Sequence, residues 1–355
     1  MRGYEYGNTR LRAMRSRLLD SGDLQEMLAS GSLDRMLAML ADTTYAPDVE
    51  AALVRARGLR RLDEAIRTNL ARTLGKIASF YGEDIAPRID LLLQRWDLHN
   101  LRALLRLPSA PFQPTDVSGL LVPAGRLTDG ELAELAVQPD TRSRLDLIVA
   151  WHLPSRATAA ILSRARAEYE REGDPAVLET ALDSAYGGEL DRILGDERRG
   201  AAAVLRAEVD LRNLSTALRL RQARIDQEPG WGARRPAYVG GGLVSPERWE
   251  PVPHIDSAEA VAAYLDERPL LSGWGPEIRA WVSHSDLTAL ESGLRRAITE
   301  AAVARFTTGD ALGFDIPVAF TFAKEAEARN LRLVGRTLVH QLPMAEVESR
   351  IEAVR

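Results

Sequence analysis

Apolar residues recur at three- and four-residue steps along most of the 355-residue chain, while the two-residue alternation of a half-buried strand is nearly absent. The pattern predicts an all-α fold. Candidate helices run over 1–20, an arginine-studded segment, and then over two short stretches for which Asp23 and Ser32 are plausible N-caps. Long helical patterns follow over 48–79 and 85–107, then over 129–151, 154–172, 174–185 and 197–223. The remainder places helices near 257–267, 284–306 and 317–342, with a short one at the C-terminus; Tyr238-Val239 is the one candidate for a short extended piece. Two stretches break the pattern. Leu107-Pro-Ser-Ala-Pro-Phe-Gln-Pro114 cannot continue a helix, because proline lacks the amide donor and clashes with the preceding turn. Glu228 to Gly242, rich in glycine and proline, has the composition of a loop. These breaks divide the chain into helical domains over 1–112, 113–230 and 231–355.

The same division follows from a repeat. The pattern acid-x-x-Asn-Leu-x-x-x-x-Arg occurs as Asp97, Asn100, Leu101 and Arg106, as Asp210, Asn213, Leu214 and Arg219, and as Glu327, Asn330, Leu331 and Arg336. The asparagines lie 113 and 117 residues apart, about a third of the chain, which predicts one unit of about 115 residues built three times. A glycine turn follows the first two copies, at Ala124-Gly125-Arg126-Leu127-Thr128 and Gly241-Gly242-Leu243-Val244-Ser245. At 100° per residue Asn100 falls within the apolar stripe of Leu93, Trp96, Leu104 and Leu107. Asn213 falls likewise among Val209, Ala217 and Leu220, and Asn330 among Ala323, Ala326 and Val334, with the acid at the edge of each stripe. A buried amide left unpaired costs roughly 1 to 3 kcal/mol, so each asparagine is expected to bond a neighbouring helix. One carboxylate per copy, with no histidine or second acid nearby in sequence, is a poor start for catalysis or metal binding, so these residues read as structural.

The chain also starts as if partway through a repeat. Glu5-x-x-Asn8 opens the arginine-rich helix and Gly31-Ser32-Leu33-Asp34 follows at an offset similar to the later glycine turns. Such a permuted start would place the last helix beside the first.

Composition narrows the function. A net charge of −5 and a pI near 5.7 give no global attraction to nucleic acid or anionic lipid. The absence of cysteine excludes disulfides and thiolate metal sites, and no apolar run approaches the ~20 residues of a membrane helix. A soluble, intracellular protein without a secretory signal is expected. Of the 46 basic residues only Lys76 and Lys324 are lysine, read here as compositional bias. Gly75-Lys76 lacks the flanking residues of a phosphate loop, His99, His152, His254, His284 and His340 show no ligand spacing, and Gly240-Gly241-Gly242 lacks the strand and helix of a dinucleotide fingerprint. Arg10, Arg12, Arg15 and Arg17 could meet phosphate or lipid headgroups, but Leu11, Met14 and Leu18 make an ordinary amphipathic helix of that segment. No catalytic residue, cofactor or metal is assigned.

Four segments together resemble the C subunit of the archaeal and bacterial V/A-type ATPases, whose eukaryotic relative is the d subunit. They are Tyr6-Gly-Asn8-Thr-Arg10-Leu11-Arg-Ala-Met-Arg-Ser-Arg-Leu18-Leu19, Leu40-Ala-Asp-Thr-Thr-Tyr45, Arg95-Trp-Asp97-Leu-His-Asn100-Leu101-Arg-Ala-Leu-Leu-Arg106, and Lys324-Glu-Ala-Glu327-Ala-Arg-Asn330-Leu331-Arg332. The resemblance covers essentially the whole chain. It implies three similar helical domains closing into a funnel with pseudo-threefold symmetry. It also implies a non-catalytic role: a socket that receives the D and F stalk subunits and seats them on the proteolipid ring (c/L/K-type), peripheral to the cytoplasmic face of the cell membrane, with torque from the A and B headpiece driving proton or sodium transport or the reverse. Two other readings stay open, a helical-repeat adaptor for unrelated proteins and a helical hydrolase or lyase whose titratable groups meet only in three dimensions.

Overall fold

A computed structural model of the chain describes residues 3–108, 118–228, 230, 237–343, 347, 350–352 and 354. The proline-rich segment from Ser109, residues 231–236 of the second break, and most of the expected C-terminal helix lie outside the described residues. Among those described, the structure is all-helical, with 16 α-helices and no strand. Tyr238-Val239 is an irregular connection.

The chain divides into two compact units, Met1–Ser163 with Val303–Arg355, and Arg164–Ala302. In the first, α1 (Tyr4–Arg15), α2 (Ser21–Ala29), α3 (Leu33–Ala41) and α5 (Leu59–Ala78) pack around the long α16 (Asp315–His340). That helix is buried on every face from Ile316 to Ala328; it is apolar on most sides as far as Ala323, and the charged residues beyond, Lys324, Glu325 and Glu327, are buried in ion pairs. The helices α4 (Ala46–Arg55) and α5 form a hairpin, and α6 (Ala86–Arg106) packs on α7 (Asp129–Ala136) and α8 (Thr141–Ala150). The first helix therefore lies against the last long one, as the permuted start required. The division between the units falls within α9 (Arg156–Glu172), and α15 (Arg305–Thr308) belongs to the first unit. The second unit contains α10 (Pro175–Leu194) packed on α11 (Gly200–Ile225), α12 (Ala258–Asp266) packed on α13 (Trp274–His284), and α14 (Leu287–Val303) up to its last residue.

Local chemistry explains where the expected helices were too long or too short. The 48–79 pattern breaks at Gly58, whose φ of +57° lies in the left-handed region that glycine adopts without a Cβ penalty. The 129–151 pattern breaks at Asp140, which caps α8 by accepting from the Ser143 amide at 2.7 Å. At the N-terminus the cap of α2 is Asp20 and not Asp23; the two form a capping box, each carboxylate accepting from the other's amide. Ser32 caps α3 as expected. Helix α10 runs nine residues beyond the expected 185, through a Gly187-Gly188 pair that interrupts the apolar period.

Candidate functional site: amide clasps and a buried charge cluster

The three repeat asparagines make the same contact. Asn100 donates through Nδ2 to the Val122 carbonyl at 2.7 Å and accepts through Oδ1 from the Val122 amide at 2.8 Å. Asn213 does the same with Val239, both bonds at 2.9 Å, and Asn330 with Glu352, again at 2.9 Å each. A carboxamide carries a donor and an acceptor side by side, so it can satisfy both polar groups of one residue in a chain that lies across the helix. The partner is a returning connection for Asn100 and Asn213 and an irregular residue of the C-terminal segment for Asn330, and in no case a neighbouring helix.

The acids are fully buried, where helical geometry put them at the stripe edge. Asp97 accepts from the amides of Arg126 (3.0 Å) and Leu127 (2.9 Å), and Asp210 from those of Leu243 (2.8 Å) and Val244 (3.2 Å). Each acid and asparagine together thus hold one loop at two points, and the glycine turns that recur in the sequence are those loops. Their glycines are required by contact: a Cβ on Gly125 would lie 2.3 Å from Asp97 Oδ1, and one on Gly242 2.2 Å from Asp210 Oδ1. The first loop contains Pro123; the second has three glycines and is tied instead by the fully buried Arg206, which donates to Gly241 O and Asp191 Oδ1, both at 2.7 Å. Arg198 adds a bond to Gly242 O at 2.9 Å.

The third acid differs. Glu327 Oε1 accepts from the Leu19 amide at 2.7 Å, just before the Asp20 capping box, as Asp97 accepts from Leu127 just before the Thr128 capping box. The amide that Glu327 accepts from thus belongs to the N-terminal segment, at Leu19 and not at the Gly31-Ser32 turn the spacing suggested. Glu327 Oε2 accepts from Tyr45 Oη at 2.7 Å and pairs with Lys324, whose ammonium also donates to Tyr45 Oη at 2.9 Å. All three side chains are buried. Burial pushes the Tyr45 phenol well up, with the Glu327 charge adding to it, and pulls the Lys324 ammonium down against the opposing pull of Glu327. One helical turn away on α4, Asp48 accepts from Asn69 and Arg72 of α5. Asn8 is buried too, but it donates to the carbonyls of Ala311 and Gly313 and accepts from Tyr81 Oη, while Glu5 is exposed, so this segment does not reproduce the clasp.

Sequence reasoning passed over Lys324 as compositional bias and missed Leu19, Tyr45 and Arg206. The one signal for them was a lysine three residues before the third acid in a chain that has only two lysines. The five histidines are not brought together, and among the described residues no three His, Asp or Glu side chains are grouped to hold a metal ion.

Burial raises the Asp97 carboxyl to about 6 and the Asp210 carboxyl to about 7, outweighing the two amide bonds that each accepts. An unfolded aspartate titrates near 3.9. The folded protein thus holds these protons more tightly, and their stabilising contribution, complete below about pH 4, is lost as pH rises through 6 and 7. Compared with an Asp210→Asn variant, the wild type is expected to lose a few kcal/mol between pH 4 and pH 8, since a carboxyl contributes roughly 1.4 kcal/mol for every tenfold difference in its acidity between the folded and unfolded chain. Parallel stability-versus-pH curves from denaturant titration would refute this.

Fold and contacts define a helical scaffold protein, whose buried polar groups hold connections against long helices. The model of the ATP synthase (C/AC39) subunit family matches residues 7–350. The chain is 27% identical over 350 residues to the V-type ATP synthase C subunit of Deinococcus radiodurans, covering 99% of this chain and 91% of that protein. Identity to the V-type ATP synthase C subunit of Thermus thermophilus is 29% over 353 residues, 98% of both chains, and to the A-type ATP synthase C subunit of Methanosarcina acetivorans 26% over 341 residues, 94% of this chain and 88% of that protein. The chain belongs to the ATP synthase (C/AC39) subunit family, a non-catalytic structural subunit of the rotary ATPase. No helix of the described residues is long and apolar enough to cross a membrane.

Proposed function

We propose that this protein is the socket between the central stalk and the membrane rotor, receiving the D and F stalk subunits and seating them on the proteolipid ring at the cytoplasmic face of the membrane. Rotation driven by ATP hydrolysis, or by ion flow in the reverse direction, passes through it. The observation that carries the reading is the recurrence of one clasp at Asn100, Asn213 and Asn330, in a member of the family to which the V- and A-type C subunits belong. A torque-transmitting spacer has to be stiff, and a connection held at both polar groups of one residue in the middle of a helix cannot slide along it. On this reading the chain comprises three like domains, 1–112, 113–230 and 231–355, with the third copy closed by the N-terminal segment through Glu327 and Leu19. Asp97, Asn100, Leu101, Asp210, Asn213, Leu214, Glu327, Asn330 and Leu331 then act as structural residues of the repeat.

The test is binding of the full chain to a co-expressed D and F complex, followed by size exclusion with light scattering at moderate and high salt. A one-to-one complex is expected. A well-folded helical monomer that binds neither of them would overturn the socket and leave an adaptor for other proteins.

A further inference from the structure

The tip of the α4–α5 hairpin has a surface that the packing of the first unit leaves unexplained. Helix α4 buries Val49 and Ala52 toward the core. At 100° per residue Val54 lies about 200° from Ala52, on the side where an amphipathic helix carries polar residues. It is nevertheless valine, 92% exposed, and Leu53 beside it is 51% exposed. No other two large apolar residues adjacent in sequence are exposed among the described residues. Arg55, Arg57 and Arg60 follow them at the end of α4, in the turn and at the start of α5, and are exposed as well. The turn is open, since a Cβ on Gly58 would meet nothing within 4 Å, and it is held in place from below by Arg61, which donates to the Ala56 carbonyl at 3.2 Å. Two nearby acids are engaged: Glu64 pairs with Arg67 at 3.0 Å and only distantly with Arg55 at 3.9 Å, and Asp63 faces Arg332 at 3.5 Å; Glu50, one turn before Val54 on α4, is exposed, so the arginines outnumber the one acid on that side of the tip.

We infer that this tip docks on an anionic lipid surface, with Val54 and Leu53 entering the boundary between headgroups and acyl chains and the three arginines at lipid phosphates. The charge of the tip is opposite to that of the chain as a whole, which is −5, so the attraction is local to these residues. Guanidinium groups match phosphate oxygens in a two-pronged geometry, and aliphatic side chains between them gain by leaving water for the acyl boundary. An acidic protein surface would satisfy the arginines but would need an apolar patch of its own for the two aliphatics, which a lipid surface always supplies. The inference goes beyond the socket role and does not depend on it.

The experiment is co-sedimentation of the full chain with vesicles of phosphatidylcholine, with and without phosphatidylglycerol. Binding is expected to the anionic vesicles alone, weakened by salt, reduced roughly fivefold for each arginine changed to alanine and about tenfold or more by Val54→Asp. A Val54→Trp variant is expected to show a blue-shifted emission on the same vesicles, quenched by lipid carrying bromine near the top of its chains. D and F binding by these variants should be unchanged, so failure here is separable from failure of the socket. No binding of the wild type to anionic vesicles, or equal binding by Val54→Asp, would overturn the inference; so would retention on the isolated membrane sector of the ATPase with no affinity for lipid alone, which would assign the tip to a protein.

Discussion

Replacing Asn213 by leucine is expected to destabilise the second unit by about 2 to 6 kcal/mol, the sum of roughly 1 to 3 kcal/mol for each of two polar groups left without a partner. Those groups are the amide and carbonyl of Val239, both of which now bond the asparagine side chain within the protein interior. Leucine has as many side-chain heavy atoms as asparagine, but its methyl groups would stand where Nδ2 and Oδ1 now lie 2.9 Å from the Val239 oxygen and nitrogen, inside van der Waals contact, so crowding adds to the loss of the hydrogen bonds. Asparagine to aspartate at the same position keeps an acceptor for the Val239 amide and loses the donor to its carbonyl, and is expected to be destabilising in addition through an unpaired buried charge. The neighbouring contact makes a second variant informative. Gly242→Ala places a Cβ against Asp210 Oδ1; the carboxylate is held by the Val244 amide at Oδ1 and the Leu243 amide at Oδ2 and cannot swing away without releasing the loop. Urea denaturation of the full chain, followed by circular dichroism, measures all three. An Asn213→Leu protein that unfolds at the wild-type midpoint would show that the clasp contributes nothing to stability.

Lys324→Met is expected to cost about 3 to 5 kcal/mol, the usual penalty for removing one partner of a buried ion pair. Glu327 would keep the Leu19 amide and the Tyr45 hydroxyl as donors but lose the Lys324 ammonium, the one cation at hydrogen-bond distance among the described residues. The double variant Lys324→Met with Glu327→Gln should recover a large part of the loss, because two neutral side chains need no counter-charge. A coupling between the two substitutions of at least about 1 kcal/mol is expected from residues in direct contact. Additive losses would mean that the pair contributes no more than its separate packing. Because Glu327 also binds the Leu19 amide, protease cleavage near residues 16–20 should quicken in the single Lys324→Met variant, which a time course would detect.

The helices were legible because period-3.6 spacing comes from each segment's own need to bury one face, a local property. Their ends were legible only where a side chain announces them. Ser32 did so; Gly58 was hidden inside a continuous apolar pattern, and Asp20 was overlooked in favour of Asp23, which turned out to be its partner in the same capping box. The recurrence of acid, asparagine and leucine was visible in one dimension, and so was the burial of the asparagines. What they hold was not visible, because Val122, Val239 and Glu352 take part through backbone groups, which every residue has, at offsets of 22, 26 and 22 residues. The glycine turns recurred in plain view, but the reason for glycine, an Asp carboxylate within 2.2 to 2.3 Å of where a Cβ would stand, is a tertiary contact.

The sequence by itself determined that the chain is helical, that its asparagines are buried at a near-constant interval, and which family its motifs resemble, since all three depend on residue types at short or regular spacing. Tertiary structure alone decided that the third copy takes its amide from Leu19, 308 residues away in sequence, and that Tyr45, Lys324 and Glu327 form one buried cluster. Such pairings depend on how distant segments pack, and no periodicity along the chain encodes which of many buried polar groups will meet.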